Sequence, residues 1–119
     1  WNVVLDKNGC PNHGGNFCGA PIMIDVEKGY IYYTPIYYVI APFIRTIRPG
    51  DKAVQADKSL VGLDEDALHA SANVNDDGLL SVQLLNTTKS PISYSLQIGS
   101  QHAAIDIPAN AVQTVRVQL

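Results

Sequence analysis

The chain has 119 residues, 46% of them apolar and 16% charged, with a net charge of −3 and a pI near 5.4. That is one domain's worth of globular chain, able to bury roughly 65% of its unfolded surface. The acidic balance argues against nucleic acid and anionic membranes as partners, since both call for a basic face, and no apolar run reaches the ~18–20 residues of a membrane span.

In chain order, Trp1-Asn2-Val3-Val4-Leu5 reads as a short strand buried on both faces, as in a parallel barrel. Residues 6–21 hold Gly9, Pro11, Gly14, Gly15, Gly19 and Pro21, so they read as an irregular loop. Ile22 to Asp25 and Tyr30 to Tyr33 are two short strands around a Glu27-Lys28-Gly29 turn. Thr34-Pro35 is a helix start, with Thr34 as N-cap and Pro35 in the first turn. Ile36, Ile40, Phe43 and Ile47 then recur at helical spacing. Pro42 interrupts that run and predicts a kink. Arg48-Pro49-Gly50-Asp51 ends the helix.

The period then changes to two. Leu68, Ala70, Ala72 and Val74 face one way, and His69, Ser71 and Asn73 the other. Asn75-Asp76-Asp77-Gly78 is a hairpin turn. Leu80, Val82 and Leu84 face inward on the next strand, followed by a turn from Asn86 to Pro91. Ile92, Tyr94, Leu96 and Ile98 alternate with polar residues, then come Ala103, Ile105 and Ile107, a Pro108-Ala109-Asn110 turn, and Val115, Val117 and Leu119. This spacing predicts a mainly β fold, an antiparallel sandwich preceded by one strand and one helix. The expected shared core is Leu80, Val82, Leu84, Tyr94, Leu96, Ile105, Val115 and Val117.

Few motifs carry chemistry. Cys10 and Cys18 are compatible with a small disulfide loop and with two free thiols alike, and they lack the cysteine or histidine company of a metal site. His13, His69 and His102 lie far apart with no ligand spacing. The calcium-loop look of Asn73 to Gly78 fails at its twelfth position, which is Leu84 rather than Glu. No metal and no cofactor is expected. Tyr30, Tyr32, Tyr33, Tyr37 and Tyr38 read as packing between strands and helix rather than as a sugar platform. Asn86-Thr87-Thr88 fits the acceptor pattern for N-glycosylation.

The opening Trp1-Asn2-Val3-Val4-Leu5-Asp6, then Gly9-Cys10-Pro11-Asn12 and Asn16-Phe17-Cys18-Gly19-Ala20-Pro21-Ile22, resembles the last barrel strand and following loop of glycoside hydrolase family 30, the glucosylceramidase-like enzymes. The resemblance continues through Thr34 to Tyr38, through Phe43 to Gly50, and through Ile107 to Thr114. It implies a barrel remnant over 1–47 and a C-terminal β-sandwich over 48–119. It implies a retaining mechanism, which needs two carboxyl groups ~5–5.5 Å apart. In the family both are glutamates on earlier barrel strands. Glu27 and Glu65 are the glutamates of this chain, and neither stands at a matching position. No catalytic residue is therefore expected here, and the chain alone is expected to be inactive.

Two positions match the family's sugar pocket. Trp1 would lay its indole face against a pyranose, and Asn16 would offer an amide donor and acceptor to sugar hydroxyls. Cys10 replaces a family Gly, His13 stands where an aromatic is often found, and Gly19 replaces an Asp. The partners implied are a β-glycoside, the missing catalytic barrel, and another copy of the chain on the exposed faces. A secreted, periplasmic or cell-surface place is implied as well. The competing reading is a free-standing carbohydrate-binding or protein-interaction sandwich, which a both-faces-buried opening strand and a pocket loop argue against.

Overall fold

The computed structural model describes residues 2–9, 15 and 17–119. They form two compact units, 1–44 and 45–119.

In the first unit, β1 (Val4–Asp6), β2 (Ile22–Asp25) and β3 (Tyr30–Tyr33) form one sheet in that order. β1 runs parallel to β2, and β3 antiparallel to it. β1 is shorter than expected, and among the described residues it pairs with β2 alone. Within this chain Val3 and Val4 are exposed and Leu5 is buried. Helix α1 (Pro35–Thr46) carries Pro42 without ending there. Thr34 stands directly before α1, where an N-cap residue is expected. The hydroxyl is turned back onto the preceding loop, 2.8 Å from the Ala20 carbonyl and 3.2 Å from that of Pro21. No residue of α1 is buried, and Ile36, Phe43 and Ile47 stay exposed. Tyr33 of β3 packs against Tyr37 of α1 at 4.5 Å and Tyr37 lies edge-on to Tyr38 at 5.4 Å, while Tyr30, Tyr32, Tyr33 and Tyr38 stay exposed.

The second unit is a sandwich. Its larger sheet has the order β4 (Lys52–Val54), β5 (Leu68–Val74), β6 (Leu79–Asn86), β9 (Ala111–Gln118). Its smaller sheet is the β7 (Ile92–Ile98) and β8 (Gln101–Ile107) hairpin. All pairings in both sheets are antiparallel. β4 was not anticipated, because three residues are too few to show a period. A short 3-10 helix, Glu65–Ala67, leads into β5. The β5–β6 turn closes with Gly78 N–H donating to Asn75 O at 3.1 Å, and Asn75 Oδ1 accepts from Leu79 N–H at 2.8 Å. Gly78 there has φ +79°, which a glycine adopts without steric cost.

The core gathers Ala67, Leu68, Leu80, Val82, Leu84, Ile92 and Ile107, with Tyr94, Leu96 and Val115 packed against it. Ile105 and Val117, also expected there, are only half-buried. Between the inner faces a cleft of about 820 Å³ remains, lined by Leu80, Val82 and Leu84 on one side and Tyr94, Leu96 and Ile98 on the other.

The outer face of the larger sheet is not simply wet. Asn73 and Gln83 are buried there beneath the chain entering β4. Asn73 Nδ2 donates to Thr46 O at 3.1 Å and Asp51 Oδ2 at 2.9 Å. Gln83 Nε2 donates to Thr46 Oγ1 at 3.0 Å and Asn73 Oδ1 at 2.9 Å. The network supplies buried amides with the partners whose absence would cost ~1–3 kcal/mol each.

Candidate functional site in the loop after β1

Trp1 and Asn16, the two residues singled out for sugar binding, lie outside the described residues, as do Cys10 and His13. The structure does describe the frame that carries them. Ile22 N–H donates to Val3 O at 3.1 Å and Lys7 N–H to Ile24 O at 2.9 Å, so β1 is tied to β2 at both its ends. Gly9 N–H donates to Asp6 O at 3.0 Å, and Asp6 Oδ1 accepts from Asn8 N–H at 2.9 Å. These bonds turn the chain sharply out of β1. The loop returns where Cys18 N–H donates to Gly9 O at 3.3 Å.

Gly9 is required at that meeting point. Its φ is +75°, and a Cβ would sit 2.7 Å from the Cys18 carbonyl oxygen. Gly9→Ala is expected to destabilise the first unit by ~1–3 kcal/mol, through strain at a positive φ and a contact that must open. Thermal melting of the variant checks this, and an unchanged midpoint would show that the loop gives way freely.

Two further features were missed by sequence reasoning. Asn2 has φ 62°, a conformation that asparagine tolerates better than most residues, and its buried Nδ2 meets no acceptor among the described residues. Nothing in a run of letters marks that backbone state. At the other end of β1, Lys7 Nζ lies 3.3 Å from Asp25 Oδ1 and 2.5 Å from Glu27 Oε2. The Glu27 carboxylate, and after it Asp25, hold the Lys7 ammonium above its ordinary range. Asp25 is buried and also accepts from Lys28 N–H at 3.2 Å, which fixes the β2–β3 turn. Glu27 is thus engaged as an ion-pair partner. Glu65 stands exposed on the 3-10 helix of the other unit. Cys18 is a free, half-buried thiol. Among the described residues no cluster of three His, Cys, Asp or Glu could hold a metal, and no helix is long and apolar enough to cross a membrane.

The frame is therefore a strand, a tight Gly turn and a loop pinned back on it. Residues 53–115 match the Glycosyl hydrolase family 30 beta sandwich domain, and residues 1–47 match the TIM-barrel domain of the same family. The chain belongs to glycosyl hydrolase family 30. Putative glucosylceramidase 2 of Caenorhabditis elegans is 32% identical over 98% of this chain and 23% of its own length. The lysosomal acid glucosylceramidase of Mus musculus is 29% identical over 81% of this chain and 18% of its own. Among solved structures, SrfJ from Salmonella typhimurium is similar over the whole chain with a TM-score of 0.87 and 27% identity, and an endo-beta1,6-glucanase over 98% with a TM-score of 0.79 and 26% identity. The family 30 chain spans about a quarter or less of these relatives, 26% of each of the two solved structures. The chain is mainly β and carries the beta sandwich domain of the family.

Proposed function

We propose that this chain supplies the sandwich and one wall of the sugar pocket to a retaining β-glycosidase acting on glucosides or glucans. The reading is carried by two models of one family matching in succession, the barrel domain over residues 1–47 and the sandwich domain over 53–115. Relatives named as glucosylceramidases and as an endo-beta1,6-glucanase support the substrate class. In the intact enzyme, Trp1 stacks on the sugar ring and Asn16 hydrogen-bonds a hydroxyl. The catalytic carboxyl pair is supplied by barrel strands outside this chain. The rest of the barrel covers the apolar residues left open on α1, and in the isolated chain another copy does so. The mouse relative is lysosomal by name, and a non-cytoplasmic place follows for this protein too.

The expected result is no turnover of a chromogenic β-glucoside by the 119 residues alone. In the intact enzyme, Trp1→Ala lowers kcat/KM about tenfold or more, the equivalent of ~1.4 kcal/mol of transition-state binding. Turnover by the chain alone that disappears in Glu27→Gln or Glu65→Gln would refute the division of labour. An unchanged kcat/KM in Trp1→Ala would remove the pocket role.

A further inference from the structure

Asn86-Thr87-Thr88 has the spacing of an N-glycan acceptor. Transfer joins a sugar C1 to the asparagine Nδ2. The bond from C1 to the oxygen of a polyprenyl pyrophosphate breaks, the pyrophosphate lipid leaves, and one amide proton is lost. The amide must reach the transferase with its hydrogens free, and such acceptors sit on surface loops.

Here the amide is consumed by the fold. Asn86 ends β6 and is 0% exposed. Its Nδ2 donates to Ser90 O at 2.8 Å and Pro108 O at 2.9 Å, with Ile107 O at 3.4 Å. Its Oδ1 accepts from Thr88 N–H at 2.8 Å, and the Thr88 hydroxyl lies 2.8 Å from the same oxygen. That hydroxyl also lies 2.8 Å from Ser90 O and accepts from Ser90 N–H at 3.3 Å. Both side chains of the acceptor motif are therefore paired, and that of Asn86 is enclosed. Asn110 N–H closes the same end of the sandwich onto Thr88 O at 3.0 Å.

We propose that this acceptor is gated by folding. It is open to glycosylation only before the β6–β7 turn docks on the end of β8, and a glycan attached earlier prevents the sandwich from closing. A glycan on Nδ2 removes one of the two protons that hold the carbonyls of residues 90 and 108, and a 0% exposed site has no exit for a sugar. In a glycosylating secretory pathway, occupancy at Asn86 then marks chains that failed to fold.

Three acceptors incubated with purified oligosaccharyltransferase and its lipid-linked donor test this: the folded 119-residue chain, a peptide spanning residues 80–95, and the folded chain carrying Asp57→Asn. The last places an acceptor, with Ser59 as its hydroxyl residue, in an exposed segment. The peptide is expected to be modified at least tenfold faster than the unaltered chain. Asp57→Asn is expected to take one glycan, at position 57. Modification of Asn86 in the folded chain at the peptide's rate overturns the proposal. So does a peptide that is never modified, since folding would then not be the gate. So does failure at position 57, since burial of Asn86 would not be the cause.

Discussion

Asn86→Asp is expected to unfold the sandwich or come close to it. The substitution keeps the shape and exchanges a two-proton donor for an acceptor. The carbonyls of Ser90, Pro108 and Ile107, at 2.8 to 3.4 Å, then face a carboxylate in a site with no exposure. Each buried group left without a partner costs ~1–3 kcal/mol, and an unpaired buried charge costs more. A loss of about 3–6 kcal/mol is of the same order as the whole stability of a small domain, about 5–15 kcal/mol. Urea denaturation of the 119-residue chain measures it. The variant should regain part of the loss as pH falls, because protonating a buried carboxyl returns one donor and its folded-state pKa is the raised one. Asn86→Ala should show no such recovery. A midpoint equal to that of the unaltered chain would mean the turn is held by other contacts.

Leu84→Ala should cost ~2–5 kcal/mol, and Leu96→Ala distinctly less, about 1–2 kcal/mol. Both residues belong to the inward phase of their strands. Leu84 is only 4% exposed at the centre of the larger sheet, while Leu96 is half-buried on β7. Both residues line the cleft, and Leu96 is the more exposed of the two, so truncating it removes fewer contacts. Urea midpoints of the two variants decide it. The reverse order would place the closed part of the core on the smaller sheet.

The fold class was legible because alternation is a local property. Leu80, Val82 and Leu84 against Ser81 and Gln83 mark a strand wherever the chain takes them. The Asn75 to Gly78 turn was legible for the same reason, since Gly78 needs a positive φ that the letters themselves suggest. Of the candidate site, the turn at Gly9 was legible, and the two residues proposed to bind sugar, Trp1 and Asn16, came from the family resemblance rather than from any pattern in the residues.

Other features required distant chain to meet. β9 pairs with β6, twenty-five residues or more away, rather than with β8 next to it in sequence, because the β7–β8 hairpin folds into the opposite layer. Asn73 looks like a wet-face residue and is buried because the Thr46 to Asp51 segment crosses over it. Asn86 looks like a surface glycan acceptor and is enclosed because Ile107 and Pro108 close over it from β8. In each case a polar side chain's period says only which face it takes. Whether that face meets water or carbonyl groups depends on which remote segment lands there, and that is decided by the closing of the sandwich.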